Sequence, residues 1–283
     1  MWIVNKKVKS KKIVQVFCLI ILVTLLRCNP DDFQKLENRE WELVWSDEFE
    51  GAAGTSPDPA KWQFDIGTGE NGWGNQELQY YTSRPQNISM DGNGHLVITA
   101  RNEIFAGSPF TSARIKTQGL FEQAYGRVEA RLKTPYGPGL WPAFWMLGSN
   151  IETVNWPQCG EIDIMELRGQ EPNIIHGSLH GPGYSAGNAV TKKYTLSMGR
   201  FDTDFYNYAI EWDEEKIDFF LNEFLYQRIR RDDVPGEWVY DQPFFIILNV
   251  AVGGTFVGFP TIHTPFPQRM MIDYVRVFRE IKR

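Results

Sequence analysis

A chain of 283 residues that is 42% hydrophobic and 14% aromatic has the apolar surface for a sizeable core and too many aromatic side chains to remain a solvated coil. Its formal net charge of −6 argues against nucleic acid as a partner, because phosphate backbones are held by basic surfaces. One long apolar run, at the N-terminus, excludes a multi-pass membrane protein.

That run comes first in chain order. Lys6, Lys7, Lys9, Lys11 and Lys12 precede the apolar stretch Ile13 to Leu26. A basic segment ahead of so short a run reads as an export signal, since a spanning helix needs about 20 apolar residues. The run ends Leu25-Leu26-Arg27-Cys28, which resembles a lipoprotein signal, although Arg27 stands where a small residue is usual. Residues 1–28 are read as signal. Membrane attachment through a lipidated Cys28 is weighed against simple secretion or an uncleaved anchor. Setting aside the six positive charges of this segment leaves 23 basic against 35 acidic residues, a net of −12. Such a surface suits a neutral partner better than an anionic polymer. Cys159 is the one cysteine of the body, so no internal disulfide forms there, and neither HExxH nor CxxC occurs.

Residues 29–40 read as a short polar tether and residues 41–283 as a single all-β domain, monomeric. Gly67, Gly69 and Gly72 match GxGxxG, but Trp73-Gly74-Asn75 follows with no helix or crossover strand. The segment is therefore a loop beside a cleft rather than a phosphate cradle. Asn87-Ile88-Ser89 is a glycosylation triplet read as incidental. Leu96, Ile98 and Ala100 alternate within His95 to Arg101, and Val128, Ala130 and Leu132 alternate with Arg127, Glu129, Arg131 and Lys133. Tyr206 to Trp212, Ile217 to Leu221 and Phe224 to Ile229 follow, separated by tight turns at Asp213–Lys216 and Asn222–Glu223. Met271 to Phe278 closes the chain. Short strands of period 2 between turns indicate a sandwich or barrel.

The informative segment is Gly160-Glu161-Ile162-Asp163-Ile164-Met165-Glu166-Leu167. Side chains at i and i+2 share a strand face, so Glu161 and Asp163 point one way and Ile162 and Ile164 the other. Unbroken alternation would send Glu166 into the core, where an unpaired carboxylate is costly. A β-bulge near Ile164-Met165 restores parity and brings Glu166 onto the acidic face. A solvated outer face explains alternating acids. It does not explain three like charges crowded together, which repel. Paired carboxylates flanking an acetal are the tools of glycoside hydrolysis, and neighbouring acids cannot all ionise freely, so one keeps a proton to donate. Trp141 and Trp145, just upstream, are candidates to stack on sugar rings. Asn75, Gln76, Glu77, Arg114, His180 and Asn249 are candidates to bond hydroxyls. Core packing is the competing role for either Trp, and a satisfied strand or turn residue the competing role for His180 and Asn249.

Glu161-Ile162-Asp163-Ile164-Met165-Glu166 resembles the signature of glycoside hydrolase family 16, in the bulged form of its laminarinase branch. Val44-Trp45-Ser46-Asp47-Glu48-Phe49, Gly74-Asn75-Gln76-Glu77-Leu78-Gln79-Tyr80-Tyr81, Leu140-Trp141-Pro142-Ala143-Phe144-Trp145-Met146 and Ile272-Asp273-Tyr274-Val275-Arg276-Val277 extend the resemblance over roughly residues 41–279. It implies a jelly-roll sandwich of two curved antiparallel sheets with a cleft on the concave face. It implies retaining endo-hydrolysis of β-1,3-glucan, or mixed-linkage β-1,3-1,4-glucan, with Glu161 as nucleophile, Glu166 as acid/base and Asp163 between them. No cofactor serves catalysis. A structural calcium is implied at Glu48, Gly92 and Asp273, with an ion pair between Asp273 and an arginine as the alternative. Two other readings compete: a non-catalytic glucan-binding surface protein, which would lack the glutamates, and a relative acting on a galactan.

Overall fold

A computed structural model describes residues 37–281; the signal, Cys28 and most of the expected tether lie outside the described residues. The strands are β1 (Trp41–Asp47), β2 (Gln63–Asp65), β3 (Gln79–Tyr81), β4 (Ile88–Met90), β5 (Leu96–Phe105), β6 (Ser108–Ser112), β7 (Arg114–Lys116), β8 (Gly126–Lys133), β9 (Leu140–Gly148), β10 (Glu161–Leu167), β11 (Ile174–His180), β12 (Val190–Thr195), β13 (Tyr206–Trp212), β14 (Lys216–Leu221), β15 (Phe224–Arg230), β16 (Phe244–Val252) and β17 (Gln268–Glu280). One sheet runs β15-β14-β13-β8-β17-β5-β6-β3, with β1 on β17 and β4 on β5; the other runs β12-β11-β10-β9-β16-β7-β2. Neighbours far apart in sequence, such as β8 between β13 and β17, are the crossovers of a jelly roll. The pairing is not wholly antiparallel as expected, because β3 lies parallel to β6.

The period-2 patterns become strands because each places one apolar face against the facing sheet. Val128, Ala130 and Leu132 of β8, Tyr208, Ile210 and Trp212 of β13, and Val275 and Val277 of β17 meet Phe144 and Met146 of β9, Ile162 of β10, and Ile246, Leu248 and Val250 of β16 in one buried cluster. Losing one such large side chain to alanine costs about 2–5 kcal/mol. Between β14 and β15, Asn222 and Glu223 both take positive φ, at 46° and 64°, the two-residue turn whose twist matches its strands. Strand β17 breaks parity at Asp273: Ile272 faces Leu132 of β8 and Tyr274 faces Arg131, leaving Asp273 as an extra residue.

Strand β16 is buried along its whole length. Its inward residues enter the core, while Phe245, Ile247, Asn249 and Ala251 lie on the opposite face, which carries the cleft. Asn87 is also buried, holding Thr82, Thr111 and the carbonyl of Thr99, so its triplet is structural. Among the described residues, no helix is long and apolar enough to cross a membrane.

Candidate active site

Strand β10 starts from Gly160, whose φ is +78° and where an added Cβ would sit 2.8 Å from the Phe244 ring. Only glycine meets both demands. Against β9, Glu161 pairs with Leu147 and Asp163 with Trp145; the register then slips, so that Met165 meets Phe144 and Glu166 meets Ala143. Against β11 the partners are His180, Ser178 and His176 for Glu161, Asp163 and Glu166. On both neighbours these partners are two residues apart, so the three acids share one face. Ile164 is the bulged residue that allows it, while Ile162, Ile164, Met165 and Leu167 are all buried.

The three carboxyls occupy a poorly hydrated spot. Burial, followed by the negative charge of Asp163, pushes Glu161 up to about 8. Burial pushes Asp163 up to about 7, opposed by a hydrogen bond with Glu161. Glu166 is pushed well above the ordinary glutamate range by burial, then by the charges of Asp163 and Glu161, with His180 opposing. Glu166 Oε1 accepts a hydrogen bond from Trp141 Nε1 at 2.9 Å. His180 Nε2 lies 3.0 Å from Asp163 Oδ2 and 3.7 Å from Glu161 Oε1.

Around the acids the residues form a connected frame. Trp145 Nε1 donates to Asn249 Oδ1 at 2.8 Å, and Asn249 Nδ2 donates to the Tyr81 hydroxyl at 3.2 Å. Tyr81 donates in turn to Glu77 at 3.2 Å, and Asn75 Nδ2 reaches the other oxygen of Glu77 at 3.4 Å. Asn249 thus has protein partners at both ends of its amide and serves to orient Trp145. Arg114 is set between the rings of Trp73 and Trp145, 4.7 and 4.9 Å from their centroids, and pairs with Asp65 at 2.8 Å. Its charge is largely spent on this clamp. The glycine-rich segment makes a single wide turn, Gly72–Gln76, with Trp73 at a left-handed φ of 54°. It forms a wall of the cleft, not the opening of a helix.

Sequence reasoning missed His176, Phe256, Trp73 and Asp65. His176 is buried opposite Glu166, and burial, then Arg168 and Lys193, lowers it to about 4. Phe256 comes from the loop after β16 and meets the rings of Trp141 and His176, each at 5.1 Å. No local pattern marks these residues; only the folded chain brings them to the acids.

The expected calcium residues lie away from the cleft. Both carboxylate oxygens of Glu48 bond Arg276, at 3.0 and 2.8 Å, and one oxygen of Asp273 bonds Arg131. Backbone oxygens of Glu48 and Gly92 and the second carboxylate oxygen of Asp273 are donors of the kind that a hard cation takes.

A cleft lined with tryptophans around three proton-hungry acids is the arrangement of a glycosidase, and the family comparison agrees: the model of glycosyl hydrolases family 16 matches residues 75–276. The chain belongs to glycosyl hydrolase family 16. A beta-glucanase of Rhodothermus marinus is 39% identical over 285 residues, covering 97% of this chain and 98% of that one. Among solved structures, the endo-beta-1,3-glucanase from Pyrococcus furiosus superposes with a TM-score of 0.83 at 45% identity, covering 88% of this chain and 98% of its own. The laminarinase catalytic domain from Thermotoga maritima gives 0.81 at 46%, covering 86% and 100%.

Proposed function

We propose that this family 16 glycoside hydrolase cleaves β-1,3-glucan internally, on laminarin-like chains, by double displacement with retention. The bulge at Ile164 carries the reading, because it alone turns Glu166 toward the face of Glu161 and Asp163. Glu166 carries the like charge of both neighbours in addition to burial and so keeps its proton; it is assigned as the acid. With Oε1 held by Trp141, Oε2 is the oxygen that delivers the proton to the glycosidic oxygen. Glu161, sharing a proton with Asp163, is assigned as the nucleophile that attacks the anomeric carbon once that pair has lost one proton. A glycosyl-enzyme ester forms. Water then attacks the anomeric carbon, Glu166 takes the water's proton, and the ester bond breaks to return Glu161 as a carboxylate. Trp141 and Trp145 offer apolar faces to the sugar rings. A cleft without its two glutamates would support the binding-protein reading; here both are in place. The mixed-linkage activity and export through the N-terminal signal belong to the same proposal.

The test is a panel of purified glucans and galactans with product sizing, run on wild type, Glu161→Gln and Glu166→Gln. Release of oligosaccharides from laminarin by wild type is expected, with a loss of at least about 10³-fold in each folded variant. Undiminished cleavage by either variant overturns the assignment, and initial α-anomers by NMR overturn the retaining scheme. For calcium, held through the oxygens of Glu48, Gly92 and Asp273, EDTA is expected to lower Tm and added calcium to restore it. An unchanged Tm would leave Asp273 to Arg131 alone.

A further inference from the structure

The loop that follows β11 does something to His180 that the reaction scheme does not require. Gly181 and Tyr184 exchange two backbone hydrogen bonds, each 3.0 Å, closing a tight turn that folds the chain back over His180. The next residues form a short 3-10 turn, Ala186–Asn188. Ala186 takes a left-handed φ of 49°, a conformation that a residue with a Cβ adopts only when its surroundings impose it. In that conformation its backbone N–H donates to His180 Nδ1 at 3.1 Å.

An imidazole nitrogen that accepts a hydrogen bond carries no proton, so the ring's proton is confined to the other nitrogen. That nitrogen is Nε2, which faces the Glu161–Asp163 pair. We propose that the Ala186 amide is a tautomer lock: it confines the ring proton of His180 to Nε2, on the side of the two carboxyls, and bars the ring from serving as a metal ligand.

The arrangement makes sense of one further observation. Glu161, Asp163 and His180 offer ligand atoms within 4.8 Å of one another, close enough to hold a metal ion. A metal-binding imidazole donates its second N–H outward, whereas here an inward-pointing amide occupies that position. The groups that face the ring are Glu161, Asp163 and Glu166 from β10 and the Trp156 ring, 5.9 Å away, from the preceding loop. The Tyr240 hydroxyl holds the backbone carbonyl of His180 at 2.9 Å. His180 is thus a positioning residue that acts through Asp163 and Glu161.

Two measurements on the full chain test this, and the first holds whatever the substrate proves to be, although the mechanistic meaning rests on the proposed glucanase. The protein has four histidines, so the His180 resonances are assigned by their loss in His180→Asn. Nitrogen-15 NMR of the ring is expected to show a protonated Nε2 and a bare Nδ1 across about pH 6–8. An Nδ1–H tautomer, or a doubly protonated ring over that range, overturns the lock. In the second, His180→Gln, whose amide sets an N–H near the Nε2 position, is expected to keep kcat on laminarin within about 10-fold of wild type. His180→Asn, whose amide cannot reach, is expected to lose about 100-fold or more. Equal losses in the two variants would overturn the donor role.

Discussion

Glu161 shows what a single acid costs the fold. Its carboxyl is pushed up to about 8, above the ordinary glutamate value, so the folded state favours the protonated form. Stability from this group is complete below the ordinary value and is lost as pH rises through about 8. Glu161→Gln removes that loss. Its Tm is therefore expected to exceed that of wild type at pH 8, by the equivalent of about 1–3 kcal/mol, and to converge with it near pH 4; scanning calorimetry at the two pH values checks the sign. At this scale much of the site was legible. Three acids at offsets 0, 2 and 5 pose a parity problem that invites a bulge, and Trp141 and Trp145 stand beside them in sequence. His176 and Phe256 were illegible because their only signal is spatial. Asn249 and Arg114 were read as sugar contacts, whereas the fold first spends them on holding Trp145, a demand that no residue type announces.

Strand β10 makes the chemistry a property of register. Deleting Ile164 and Met165 together would let β10 pair with β9 and β11 without a slip while placing Glu166 three positions after Glu161, which sends its side chain toward the core. Such a variant is expected to lose activity on laminarin entirely and to melt lower than wild type, since a carboxyl would be buried without partners. A comparison of activity and Tm decides it, and an active deletion variant would show that Glu166 need not share the face of Glu161. Strands with strict alternation, β5, β8, β13 and β14, were plain in the sequence because one face is core and the other is not. Strand β16 gave no alternation, being covered on both faces. In β17 the phase changes at Asp273, so the sequence left the inward set around Tyr274 ambiguous. The short β2, β3, β4 and β7, of three residues each, carry too little pattern to be read, and the parallel pairing of β3 with β6 is set by tertiary contacts.

For the whole molecule, the boundary of the body lies earlier than composition suggested. Residues 37–40 were read as tether, yet the Arg39 side chain is only 7% exposed and meets Glu37 at 2.6 Å, Asp213 and Glu280. Lys216 joins the same group through Glu37, and Ile281 N donates to the carbonyl of Glu40 at 2.8 Å. This strap lies on the outer face of the larger sheet, over a cavity of about 400 Å³ lined by Trp41, Arg127, Glu129, Glu211 and Phe220 among others. Polar composition hid it, because ion pairs rather than apolar contacts hold it. Arg39→Ala leaves three acids without their guanidinium and is expected to cost about 1–3 kcal/mol, read as a lower Tm at unchanged kcat, the strap being remote from the acids. That remoteness also governs access. Among the described residues the N-terminal strap lies on the outer face of one sheet and the groove on the outer face of the other, so the strap does not cross the path along which a long polymer would lie.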